Sequence, residues 1–380
     1  MTSRASTDWI LVILLFVAGL FAAGQFAKIS LSLGALAEVY PGRDGVLPLA
    51  VSMVSLTGII FGATAGAIVA RVGVRKVLLA ALIAGALLSL AQATLPPFLP
   101  FMALRLLEGA AHLAIVVSAP TLMAAVAVPR DKPVVMGLWG TFFGIGFALT
   151  AILAPAVIAR FGAGGVFAAH GAGLLVLALA LAPRLPRGVA KAEAAGGWIE
   201  RHLAIYRNPR RIAPALGFVF HTLTFISLLT YLPRWLGPWS GPVLPLIALV
   251  GTFGAGYLAR ALPPARIVQL GFALGAGLML VLIAVPEGWR VAVTLPLFVA
   301  IGLVPGASFA LVPALNEDSA DQALAQGAVA QMGNIGTATS TPIFALTLGA
   351  GLAGTGLLFI ALSLAGLVVV TLVHRRVRRS

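Results

Sequence analysis

FMALRLLEGAAHLAIVVSAPTLM, residues 101–123, is apolar over a full membrane-crossing length, yet it holds Arg105, Glu108 and His112. Their spacing is i, i+3, i+7. On a helix that spacing confines them to an arc of about 60°, so all three point the same way. An ion in hydrocarbon costs roughly 2.5–3.5 kcal/mol on insertion scales. Three ionisable groups on one face must therefore look into protein or a wet cavity. Two readings compete: an Arg–Glu pair that pins two helices together, and a binding and proton-relay site. The rarity of such groups in the membrane favours the second.

The rest of the chain supports a polytopic membrane protein. Its 380 residues are 60% hydrophobic and 9% charged, with a mean hydropathy of +1.06, whereas a soluble domain is about 25% charged. There is no cysteine, which excludes disulfides and thiolate metal sites. Five scattered histidines predict no metal centre. No cofactor motif and no catalytic constellation is present, so no enzymatic activity is expected. The apolar run from Trp9 is far longer than the core of a cleavable signal.

Twelve spans are expected, near 9–37, 47–70, 77–95, 100–127, 134–159, 163–182, 212–234, 242–260, 267–285, 291–315, 323–348 and 353–373. The net charge of +14 is a topology signal, not a nucleic-acid footprint. With the N-terminus inside, nineteen of the 25 Lys and Arg fall in cytoplasmic segments, and Lys28 and Arg105 fall within the membrane. Both termini are then cytoplasmic, as in a bacterial inner-membrane protein, and the partners are the lipid bilayer and small solutes. A monomer is expected.

Other features sort into sites and packing. Gln25, Lys28 and Ser32 repeat the i, i+3, i+7 pattern on span 1, where Lys28 lies too deep to snorkel easily. Span 3 has only Gln92 and reads as scaffold. Span 5 carries Gly137, Gly140, Gly144 and Gly146, then Pro155 as a kink. His170 on span 6 stands alone and reads as a satisfied core histidine. Span 7 brings His221 and Tyr231, and span 11 brings Gln331 and Asn334. Residues 183–211 are a Pro- and Gly-broken linker, in which WIERHLAIY could lie as an amphipathic helix on the membrane surface. The linker separates two six-span bundles, 1–182 and 212–380. GATAGAIVAR (62–71) and GTFGAGYLAR (251–260) match at an offset of 189, and GLWGTFFGIG (137–146) and GAVAQMGNIG (327–336) at 190. Two matches near one offset, half the chain length, point to a duplication.

With these features the chain resembles the major facilitator superfamily of secondary transporters over essentially its whole length. Gly66, Arg71, Gly73, Arg75 and Lys76 look like the family's loop after span 2, a conformational element. Ala70 stands where that motif has an acid making an interdomain charge contact, a departure from the family's pattern. Arg105, Glu108 and Gly109 look like the span-4 motif of proton-coupled exporters, whereas Ile145 replaces the proline of their span-5 motif. The resemblance implies an all-α membrane fold of twelve helices in two pseudo-symmetric six-helix bundles. Spans 1, 4, 7 and 10 would line a central cavity.

The expected function is alternating-access transport of a small organic solute, anionic because Lys28 and Arg105 outnumber Glu108. Lys28, Gln25, Arg105, His112, His221, Tyr231, Gln331 and Asn334 are the candidate substrate contacts. Glu108, with Arg105 and His112, is the candidate proton-coupling group. Efflux of amphiphilic drugs is the alternative within transport, and a non-transporting receptor is the alternative from another class.

Overall fold

The computed structural model describes residues 6–43, 46–47, 49–186, 203, 205–237 and 239–378. The segment expected to form the surface helix, WIERHLAIY, lies largely outside them. Among the described residues there is no strand. The helices are α1 (Trp9–Val39), α2 (Leu49–Val72), α3 (Val74–Ala93), α4 (Phe98–Val126), α5 (Lys132–Gly140) and α6 (Phe142–Leu181). They are followed by α7 (Pro209–Tyr231), α8 (Ser240–Leu258), α9 (Pro264–Ala284), α10 (Arg290–Leu315), α11 (Ser319–Ala345) and α12 (Gly351–Val377). A one-turn helix, Pro233–Leu236, continues α7.

Among the described residues, ten helical segments are long and apolar enough to cross a membrane. Two departures from the expected spans have local causes. The fifth and sixth spans run together as the 40-residue α6, whose backbone turns at Gly162 (φ +69°, ψ −176°). The bend expected at Pro155 thus falls one residue past Phe161, where only glycine adopts that conformation without strain. The start of the fifth span is the separate helix α5, which ends at Thr141. The eleventh span is α11, 27 residues long but too rich in Gln, Asn, Ser and Thr to stand among the ten.

Capping follows ordinary chemistry. The Asp8 carboxylate accepts from Leu11 N–H at 3.0 Å to start α1, and Asn208 Oδ1 accepts from Arg210 N–H at 2.9 Å to start α7.

The chain divides into two compact units. Unit 1 holds 1–127, 142–201 and 318–330; unit 2 holds 128–141, 202–317 and 331–380. Each unit therefore takes in one segment from the other half of the sequence. In unit 1, α1 packs on α6 and α4, α3 on α4 and α6, and α2 on α4. Unit 2 repeats the pattern: α7 on α12 and α10, α9 on α10 and α12, and α8 on α10.

The borrowed segments are seated by glycines. A Cβ on Gly66 would lie 2.6 Å from the Ala323 carbonyl oxygen, within unit 1. A Cβ on Gly256 would lie 2.7 Å from the Pro133 carbonyl oxygen, within unit 2. Adding 190 to Gly66 and Pro133 gives Gly256 and Ala323, so these two close approaches are images of each other.

Candidate functional site

Lys28, Arg105 and Glu108 converge inside unit 1, and all three are buried. Lys28 Nζ lies 2.5 Å from Glu108 Oε1. Arg105 Nη1 donates to Glu108 Oε2, which also accepts from Gln92 Nε2 at 2.8 Å. The remaining arginine contacts are to backbone: Nε to Ala50 O at 3.0 Å and Nη2 to Gln25 O at 2.8 Å. The carboxylate is thus held from α1, α3 and α4 together. The Lys28 ammonium also donates to Ser89 Oγ at 2.8 Å and sits 5.2 Å from the centre of the Phe167 ring.

Two cations face one carboxylate, so with neutral histidines the cluster carries one net positive charge. At low dielectric each charge needs both an opposite charge and directed hydrogen bonds. The cluster supplies both.

His112 is one turn further along α4. Its Nδ1 lies 3.1 Å from Ala22 O and 3.1 Å from Gln25 Oε1, and Phe26 meets its ring edge-on at 4.9 Å. Both oxygens accept only, so Nδ1 carries the hydrogen. Gln25 Nε2 and Ser32 Oγ are buried with no hydrogen-bond partner among the described residues.

The structure corrects the reading of span 3 as scaffold. Ser89 and Gln92, i and i+3 on α3, are both fully buried against the charged groups. His170 is satisfied on both ring nitrogens, as read, but is not alone: its Nε2 lies 2.9 Å from Phe21 O and its Nδ1 3.5 Å from Lys28 Nζ. Neither set of contacts could be found from periodicity alone, because the partners come from other helices. The i, i+3 pairing of two polar residues in an otherwise apolar α3 was the available signal.

The remaining expected site residues lie in unit 2. His221 stacks on Phe225 (centroids 5.0 Å apart, 22° between planes). Tyr231 OH donates to Thr341 O at 3.0 Å, and the Arg234 guanidinium lies over its ring at 5.2 Å. Gln331 Oε1 accepts from Tyr206 OH, whose titration burial pushes up to about 12. Asn334 is half-buried on the same helix, α11.

In the loop after α2, Arg71 is exposed and Gly73 has φ +100°. Arg75 Nη2 donates to Ala182 O at 2.8 Å, tying the start of α3 to the end of α6. No group of three or more acidic, His or Cys side chains that could hold a metal occurs among the described residues.

A family model for the Major Facilitator Superfamily matches residues 15–341. The chain belongs to that family. It is therefore a multi-pass integral membrane protein of a transporter family, not an enzyme. Among solved structures it is similar to the fucose:proton symporter FucP of E. coli (TM-score 0.75, 15% identity, covering 96% of this chain and 98% of that one). It is also similar to the proton:xylose symporter XylE with 6-bromo-6-deoxy-D-glucose bound (0.71, 15%, 95% and 94%). A third is the human organic anion transporter MFSD10 (0.73, 18%, 95% and 98%). At such identities these likenesses show the fold. No curated protein sequence matches.

Proposed function

We propose that the protein is a secondary active transporter of a small organic anion, working by alternating access between bundles 1–182 and 212–380 and coupled to protons. The observation that carries this reading is the buried set of two cations and one carboxylate, Lys28, Arg105 and Glu108. A net positive charge enclosed by helices favours an anionic ligand. The unpartnered Gln25 Nε2 beside it is a further donor.

Substrate and proton compete for the same partners. An anion that engages Lys28 or Arg105 takes counter-charge away from Glu108. A carboxylate that loses its cations in a dry site takes up a proton. Binding and protonation are then linked, which is what coupling requires. His112, on the same face of α4, lies next in line for the proton.

His221, Tyr231, Gln331 and Asn334 would contact the rest of the solute. The chain acts as a monomer in a bacterial inner membrane, with both termini cytoplasmic. Among the similar structures, the two sugar:proton symporters support the proton coupling in this reading and the organic anion transporter supports the anionic solute.

The aromatic group of Phe218, His221, Phe225 and Phe309 in unit 2 supports a second reading, proton-driven efflux of amphiphilic compounds. Stabilisation of the purified protein by organic anions but not by organic cations separates the two.

The coupling test is Glu108→Gln in proteoliposomes, assayed for accumulation driven by a pH gradient and for counterflow without one. Accumulation should fail while exchange survives. A variant that still concentrates substrate in response to the gradient rules out Glu108 as the proton carrier.

A further inference from the structure

His170 makes two contacts of opposite kind. Its Nε2 lies 2.9 Å from the Phe21 carbonyl oxygen. A carbonyl only accepts, so Nε2 carries the hydrogen, and in the neutral ring Nδ1 is left with a lone pair. That lone pair faces Lys28 Nζ at 3.5 Å and Ser89 Oγ at 3.3 Å. Ser89 donates its own hydrogen to Phe167 O at 2.9 Å and so can only accept from the lysine. The ammonium has three hydrogens and three acceptors: Glu108 Oε1, Ser89 Oγ and His170 Nδ1. Only the first is charged, and it is the one assigned to take up a proton.

We infer that His170 is a positioning residue of the coupling group. Its Nδ1 lone pair holds the Lys28 ammonium in place while Glu108 is protonated and no longer binds it as an ion. The inference rests on the coupling role given above to Glu108.

Lysine is a point charge on a flexible four-carbon stem. Without fixed neutral acceptors it would leave its position whenever its counter-charge is neutralised. Ser89 on α3 and His170 on α6 provide them, and the bond to Phe21 O fixes the ring tautomer that presents the lone pair. The groups facing the cluster are Gln25 and Lys28 from α1, Ser89 and Gln92 from α3, Arg105, Glu108 and His112 from α4, and His170 from α6. Glu108 is the one acid among them.

Two amide substitutions separate the two sides of the imidazole. The Asn side chain places its carbonyl oxygen near the position of Nδ1, with nothing to reach Phe21. The Gln side chain places its amide near Nε2, with no acceptor for Lys28. His170→Asn should keep gradient-driven accumulation within about twofold, and His170→Gln should lower it roughly tenfold, the size of one hydrogen bond to a charged group. Counterflow should stay within about twofold in both.

The opposite ranking would make His170 an anchor to Phe21 and overturn the inference. Two active variants would also overturn it, because the lone pair would then be dispensable. Two uncoupled variants would overturn it as well, because the ring itself would have to titrate.

Should either variant fail to fold, nitrogen NMR of labelled His170 in the unaltered protein decides. A hydrogen on Nε2 with a hydrogen-bonded, unprotonated Nδ1 supports the inference, and a hydrogen on Nδ1 overturns it. Glu108→Gln run in parallel distinguishes the two levels. If it uncouples while His170→Gln does not, only the role of His170 fails. If it does not uncouple, the coupling reading fails and takes this inference with it.

Discussion

The same place in the two halves of the duplication is built from opposite materials. Adding 190 carries Ser89, Gln92, Arg105, Glu108 and His170 onto Met279, Leu282, Leu295, Phe298 and Ile360. These five belong to one apolar core in unit 2, where Met279, Leu282 and Phe298 are fully buried. The helix pairings around both cores are the same. The frame therefore does not need the charges, because its sister core closes without them. A buried ion pair is on general grounds no more stabilising than a well-packed apolar replacement. The polar core of unit 1 is best explained by what it does.

Crossing the two chemistries gives the largest expected effect. Phe298→Glu would put an unpaired carboxylate into the apolar core of unit 2. The cost should be about 3–5 kcal/mol or more, with little folded protein recovered from membranes. A stable variant would mean that this core is wet and the contrast with unit 1 false. Lys28→Ala works on the other side. It removes the excess charge and leaves a neutral Arg105–Glu108 pair, so the protein should stay folded in a thermal melt. Anion uptake should fall by roughly a hundredfold, as for the loss of a buried charged contact. Normal uptake would show that Lys28 only braces the helices.

The repeated glycine contacts should respond alike. Gly66→Ala and Gly256→Ala each drive a methyl group into a backbone carbonyl. Each should cost about 1–3 kcal/mol in a thermal melt, by similar amounts. A large difference between them would show that the duplication is not mechanically symmetric.

The smallest effects belong to the loops. Arg260 Nη2 pairs with Asp131 Oδ1 at 3.0 Å across a partly exposed contact. Asp131→Asn should therefore change stability by less than about 1 kcal/mol. Arg71→Ala, in the matching loop of the first half, should change maximal transport rate more than affinity. A pure affinity loss there would make that loop a binding element.

Much of this was legible in the sequence. The depth of Lys28 and the shared face of Arg105, Glu108 and His112 predict a buried charged group, because an ion in an apolar helix has few alternatives. The matches at offsets of 189 and 190 point to a duplication, and the pair Gly137 and Gly327, matched at 190, makes the same kind of close approach in both halves, to Gly256 and to Gly66. What the sequence conceals is which helix answers which charge. Gln92, on one face with Ser89, has no visible partner until α3 is laid against α4, and His170 looks solitary until α6 is laid against α1. Helix periodicity states the face of a residue, not the identity of the helix opposite. The bend at Gly162 is hidden for a different reason: Pro155 is the louder local signal, but a proline can be carried inside a helix whose next turns stay regular, as here.

Lys28 and Glu108 are 80 residues apart in sequence, and that separation bears on how the protein is made. During synthesis α1 leaves the ribosome before α4, carrying its ammonium into the bilayer ahead of the Glu108 counter-charge. Its 31 apolar-rich residues are enough to insert it against a cost of roughly 3 kcal/mol. α4 follows with Arg105 and Glu108 already one turn apart, so it arrives with its charges matched. α6 comes later still, bringing Phe167 and His170 to the remaining side of the ammonium. A nascent chain halted before α4 holds an unpaired lysine in lipid, the kind of defect by which membrane quality control can tell an unfinished chain from a finished one.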